Sequence, residues 1–189
     1  MAYYDDDGIR PVTRITAGAI GEPGRRVFVL QVQLGDQLVS WVLEKEQVLH
    51  LSRAIPQLLA RVRAEFPELG APLVAANPRL DLSEPVVPEF RVGSIGLDYD
   101  RIHDVVVLTL VDADALDPDS ADEFDPAQKA PEQNLYTTRG QALLLSQQAE
   151  LVILAGRPAC PACGEPIDYF GHFCLPAGTR SRRSDGYLQ

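Results

Sequence analysis

All three cysteines of the chain fall within one short C-terminal stretch, at Cys160, Cys163 and Cys174, and one of its three histidines, His172, lies among them. Three thiolates and one imidazole make a tetrahedral zinc set. Cys160-Pro161-Ala162-Cys163 has the two-residue gap that lets one tight turn aim both sulfurs at a single ion, and Gly164 follows where such a turn needs φ > 0. His172-Phe173-Cys174 would supply the other two ligands from across a short loop, and metal closure would stabilise a segment poor in apolar residues. The expectation is one structural zinc per chain on Cys160, Cys163, His172 and Cys174. Four protein ligands leave no position for the water of a catalytic zinc. The deaminase pattern of H-x-E followed by P-C-x-x-C is not met: Ala159 precedes Cys160, and neither His50 nor His103 begins H-x-E. Two other readings of the thiols stay open. They are unligated reduced cysteines, or a redox pair, although a redox C-x-x-C normally opens a helix beside a sheet.

The body that must position this segment is acidic. Its 189 residues suit one domain with an appendage, and 46% hydrophobic content is enough for a core. A formal net charge of −10 disfavours general binding to nucleic acid or anionic membranes, because the far field repels phosphate. No apolar run is long enough to span a bilayer, and the acidic start Met1-Ala2-Tyr3-Tyr4-Asp5-Asp6-Asp7 lacks the apolar region of a secretory signal. Clustered cysteines in odd number fit a reducing compartment, so a cytoplasmic location is expected.

Hydrophobic periodicity places the elements. Residues 1–10 read as a frayed, polar N-terminus, and residues 11–155 as one α+β domain. Ile15–Ile20, Val27–Leu34 and Leu38–Leu43 read as three antiparallel strands joined by turns at Gly21-Glu22-Pro23-Gly24 and Gly35-Asp36, with Val39, Trp41 and Leu43 on one face. Glu44–Phe66 then switches to helical period, with Val48, Leu51, Ile55, Leu58, Val62 and Phe66 as its stripe; His50 falls off it. Pro56 predicts a kink or two consecutive helices. The proline-rich span 67–89 has no period and reads as a long surface loop, a spacer or a binding segment. Phe90–Tyr99 and Val105–Val111 form a further strand pair, the second expected to be central and buried on both faces. The span 112–135 reads as an irregular, solvated acidic loop. Its aspartates imitate a calcium loop, but Asp117 stands where that loop needs Gly, and Pro118 follows. Thr138-Arg139-Gly140-Gln141 matches a capping box opening a helix whose apolar face is Leu144, Leu145, Gln148, Leu151, Val152 and Ala155. Gly156 in the left-handed C′ position and Pro158 beyond it should end that helix. Residues 156–189 are then the zinc-knuckle-like segment and a polar tail. The expected fold is therefore a mainly antiparallel sheet of about five strands in β-β-β-α-β-β-α order with two main helices.

These residues also carry a resemblance. Gly156-Arg157-Pro158, Cys160-Pro161-Ala162-Cys163-Gly164, Pro166-Ile167-Asp168, Gly171-His172-Phe173-Cys174 and Gly186-Tyr187 resemble the C-terminal pattern of the "domain of unknown function 3090" family of bacterial, mainly actinobacterial proteins. Gly21–Arg26, Arg91-Val92-Gly93 and Gly96-Leu97-Asp98-Tyr99-Asp100 are similar to its N-terminal and central patterns. The resemblance implies the domain boundaries and the cysteine–histidine set; the family carries no established activity to transfer.

The residues favour a non-catalytic, zinc-stapled interaction or adaptor module that binds an unknown protein partner. No nucleophile elbow, phosphate-binding loop or dinucleotide fingerprint is present. Arg25 and Arg26 after the Pro-Gly turn are candidates for an anionic ligand, against an ordinary hairpin rim. Arg180, Arg182 and Arg183 offer a weak RNA contact, against a solvated tail. The alternative is an enzyme or enzyme subunit with a pocket between the sheet and loop 67–89, where Glu84, Glu89, Asp98 and Asp100 are the candidate acids.

Overall fold

The computed structural model describes residues 4–5, 8–9, 11–22, 25–116, 132–156 and 160–163. Strands β1 (Tyr4–Asp5) and β2 (Gly8–Ile9) pair antiparallel. Six further strands are hydrogen-bonded in chain order: β3 (Arg14–Ile20), β4 (Val27–Leu34), β5 (Gln37–Leu43), β6 (Pro88–Asp100), β7 (Val105–Asp112) and β8 (Glu132–Thr138). Within this sheet only β5 and β6 run parallel. A parallel join needs a crossover, and α1 (Lys45–Glu65) with the chain up to Val87 provides it. Helix α2 (Arg139–Leu154) follows β8. The α+β class with two helices holds, but the sheet is mixed and has six strands rather than about five. The added strand is β8, which begins inside the span expected to be irregular. Gln133 and Thr137 are among its buried residues, so it lacks the apolar alternation that would have marked it.

The first three strands show why the core lies where it does. Register aligns Ala17 with Leu30 and Leu30 with Trp41, and likewise Ile15 with Val32 and Val32 with Val39. Alternation puts these rows on one face, where they meet the stripe Val48, Leu51, Ile55, Leu58 and Val62 of α1. Helix α1 is one run through Pro56, not two helices. Pro56 is exposed, so the carbonyl deprived of its intrahelical partner faces the wet side of the helix. His50 is exposed, as its position off the stripe requires. On α2 the buried stripe is Ala142, Leu145, Ser146, Ala149 and Ile153, whereas Leu151, expected on the apolar face, is 59% exposed. Small residues set this face because α2 packs closely on α1 and β3. On β7, Val106, Leu108 and Leu110 are fully buried while Val107, Thr109 and Val111 are half-buried, so only one of its faces is wholly covered.

The opposite face of β3–β5 carries a polar row, Thr16, Gln31 and Ser40, aligned in register and essentially without solvent exposure. Residues 80–83 of the long loop cover it. Ser83 N–H donates to Gln31 Oε1 (2.7 Å), Gln31 Nε2 donates to Ser83 O (2.9 Å) and Ser40 Oγ (3.1 Å), and Thr16 Oγ1 donates to Leu80 O. Arg14 reaches Asp81 O, Ser83 Oγ and Gln31 Oε1 from the rim. The Leu82 side chain fills the space a Cβ at Gly18 would take. The loop is thus a strap that covers the second face of β3–β5. Among the described residues no helix is long and apolar enough to cross a membrane.

Candidate functional site

The cysteine pair sits just beyond α2. The capping box expected at Thr138 is present: Thr138 Oγ1 accepts from Gln141 N–H at 3.1 Å, and Gln141 Oε1 accepts from Thr138 N–H at 2.9 Å. Gln141 Nε2 also donates to Val12 O at 2.6 Å, which ties the start of the helix to the lead into β3. At the other end Arg26 Nη1 donates to Val152 O at 2.9 Å, a cation on the carbonyl terminus of the helix. Gly156 does not adopt the left-handed conformation expected of it. Its lack of a side chain serves close approach instead, because the Arg26 guanidinium occupies the space of a Cβ there.

Cys160 is 8% exposed and Cys163 is half-buried. Residues 161–163 form a turn, and Ala162 N–H donates to Cys160 Sγ at 3.4 Å. An amide aimed at sulfur favours the thiolate, the form in which cysteine binds metal. His172 and Cys174 lie outside the described residues, as do Arg180, Arg182, Arg183 and the acidic run from Asp117 to Asp125. Among the described residues no group of three His, Cys, Asp or Glu side chains is arranged to hold a metal.

Beside the end of α2 a cleft of about 520 Å³ opens between the start of β4, the β5–α1 junction and β6. Its charged lining is Arg26, Lys45, Arg91 and Glu44. Local structure brings them together. Gln47 completes a capping box with Glu44, and its amide donates to Val92 O (2.9 Å) and Gly93 O (3.2 Å), where β6 breaks register with β7. That clamp fixes the first turn of α1 on β6, so Glu44 Oε1 lies 3.0 Å from Arg91 Nε. Both side chains are more than half exposed, at 52% and 65%, so the pair contributes little stability. Arg26 lies over the Phe28 ring, 5.1 Å from its centroid. Sequence reasoning singled out Arg25 and Arg26 but missed Lys45 and Arg91, which stand on other elements.

The remaining candidates resolve into structural roles. Glu84, Glu89 and Asp98 are exposed, and Asp100 caps the β6–β7 turn, accepting from Ile102 N–H and approaching His103 Nδ1 at 2.7 Å. The His103 hydrogen bond leads the causes that hold the Asp100 carboxyl below its usual range. Asp104, with φ of 52°, takes the left-handed conformation that Asp tolerates better than most residues. It accepts from Arg139 Nε at 2.7 Å and from Tyr99 Oη at 2.6 Å. Burial works against its carboxylate, but the bonds from Arg139 and Tyr99 outweigh it and lower the pKa. Burial, followed by the bond to Asp104, pushes the Tyr99 hydroxyl up to about 12. Arg139 also donates to Leu69 O and Gly70 O, so this cluster latches the turn that follows α1 to the start of α2. Residues 80–83 of loop 67–89 lie on β3–β5 with their polar groups matched to Arg14, Thr16 and Gln31.

No curated protein and no solved structure matches the chain. The profile of the family described as Protein of unknown function (DUF3090) matches residues 8–174, from β2 through the last cysteine. The chain belongs to this family.

Proposed function

We propose that the protein is a non-catalytic binding module whose C-terminal segment is stapled by one structural zinc, held by Cys160, Cys163, His172 and Cys174. The supporting observation is the turn at 161–163, which buries Cys160 and aims the Ala162 amide at its sulfur. Two sulfurs on one turn supply half of a tetrahedral set, and the His172–Cys174 pair would complete it. The metal would act as a cross-link: it joins the chain after α2 to residues further on and lowers the entropy of the unfolded state. A closed set of this kind supplies a fixed surface for a partner protein rather than a reaction centre.

The test is metal content of protein purified without added zinc, beside Cys160→Ser and His172→Ala. About one zinc per chain is expected, reduced in both variants, with faster proteolysis after α2. Absence of zinc, or zinc retained in full by His172→Ala, would refute the closed site.

A further inference from the structure

We infer that the cleft beside the end of α2 binds a small oxyanion, a phosphate or carboxylate group carried by a soluble ligand. Across the whole chain acids outnumber bases, 27 to 17. Within this cleft the ratio inverts: Arg26, Lys45 and Arg91 face one carboxylate, Glu44. The three cations come from the residue before β4, from α1 and from β6, segments far apart in sequence, so the fold and not a local charge run creates the cluster.

Each cation has donors to spare. Among the described residues the Arg26 side chain donates one hydrogen bond, from Nη1 to Val152 O, and its ring contact with Phe28 orients the guanidinium plane. Arg91 meets Glu44 through Nε, which leaves its outer nitrogens. Lys45 makes no ion pair among the described residues. Planar guanidinium forks match phosphate and carboxylate geometry, and Lys45 adds a point charge. Glu44 serves as an internal counter-ion, which an incoming anion would displace from Arg91. The cavity volume lies within the range that small-ligand sites occupy. The acidic body repels anions at long range, so affinity must come from these close contacts.

The test is isothermal titration of the full chain with inorganic phosphate and, separately, with citrate, at constant ionic strength balanced by chloride. Saturable one-to-one binding of at least one probe is expected. Arg91→Ala and Lys45→Ala should each weaken it about tenfold, and Arg53→Ala, on the exposed side of α1, should leave it unchanged. Arg91→Lys keeps the charge without the fork and replaces Arg91→Ala if that variant fails to fold; it should bind more weakly than wild type. Response to phosphate alone assigns a phosphate ligand, and response to citrate alone assigns a carboxylate. No binding of either probe, or equal weakening in Arg53→Ala, overturns the inference. None of the substitutions touches a cysteine, so the outcome is independent of zinc.

Discussion

Gln31→Leu should detach the strap from the sheet. The Gln31 amide is without solvent exposure and uses both its atoms: Oε1 accepts from Ser83 N–H and Arg14 Nη2, and Nε2 donates to Ser83 O and Ser40 Oγ. Leucine has nearly the same volume, so the substitution removes four hydrogen bonds with little change in packing. A typical bond contributes about 1 kcal/mol net, and those to charged groups more. Ser40 can turn its hydroxyl elsewhere and Arg14 keeps Asp81 O, which leaves the two Ser83 backbone groups as the main loss. The expected cost is about 3 kcal/mol. Trp41, the single tryptophan, is 1% exposed beside Leu30, so its fluorescence reports denaturant unfolding directly. Hydrogen exchange at residues 80–83 supplies the local readout, with the Ser83 amide losing most protection. A cost below about 1 kcal/mol, or an unchanged Ser83 exchange rate, would show that the strap does not depend on this row.

Four further outcomes follow from the packing and the latch. Gly140→Ala drives a Cβ into the Leu73 carbonyl, a backbone atom that cannot swing aside, and should cost about 2–3 kcal/mol by thermal or denaturant unfolding. Gly156→Ala meets only the mobile end of Arg26, so it should cost about 1 kcal/mol, mainly through the bond to Val152 O. The folded-state pKa of Asp104 lies below its ordinary 3.8, so its ion pair with Arg139 contributes stability above that pH, lost as pH falls through the folded value. Asp104→Asn should flatten the acid limb of the stability–pH curve. Tyr99 runs the other way: raised from 10.0 to about 12, it favours the fold below pH 10 and loses that contribution as pH rises towards 12. A spectroscopic titration should show a late tyrosine component that moves to lower pH in Asp104→Ala.

Elements with strong local periodicity were legible in the sequence. Val27–Leu34 alternates and Val48–Val62 repeats at helical steps, and both appear where expected. Strand β8 was hidden because its pairing with β7, and not its own composition, makes it a strand. The α2 stripe was misread because large aliphatic residues drew attention from Ala142, Ser146 and Ala149, whose small size permits the packing. The strap read as a spacer because its partners lie 52 to 69 residues away. The same limit applied to the site. The cysteine spacing is local and visible, whereas the cleft assembles Arg26, Lys45 and Arg91 only after folding.

The repeated βββα order bears on how the chain reaches its native state. Each meander, β3–β4–β5 and β6–β7–β8, pairs strands that are neighbours in sequence, the geometry that forms fastest. The β5–β6 join instead requires the whole crossover, α1 and the strap included, to be placed before the two halves can pair. Such a non-local contact loses loop entropy before it gains anything. The two meanders should therefore be the early units and their union the late event. Folding kinetics can read this directly: Val32→Ala, inside the first meander, should slow folding, while Val42→Ala, at the parallel join, should mainly speed unfolding. The reverse pattern would place the crossover in the nucleus. Until the halves meet, the second edge of β5 is unpaired, so it is there that a slow-folding chain would be open to pairing with another copy of itself.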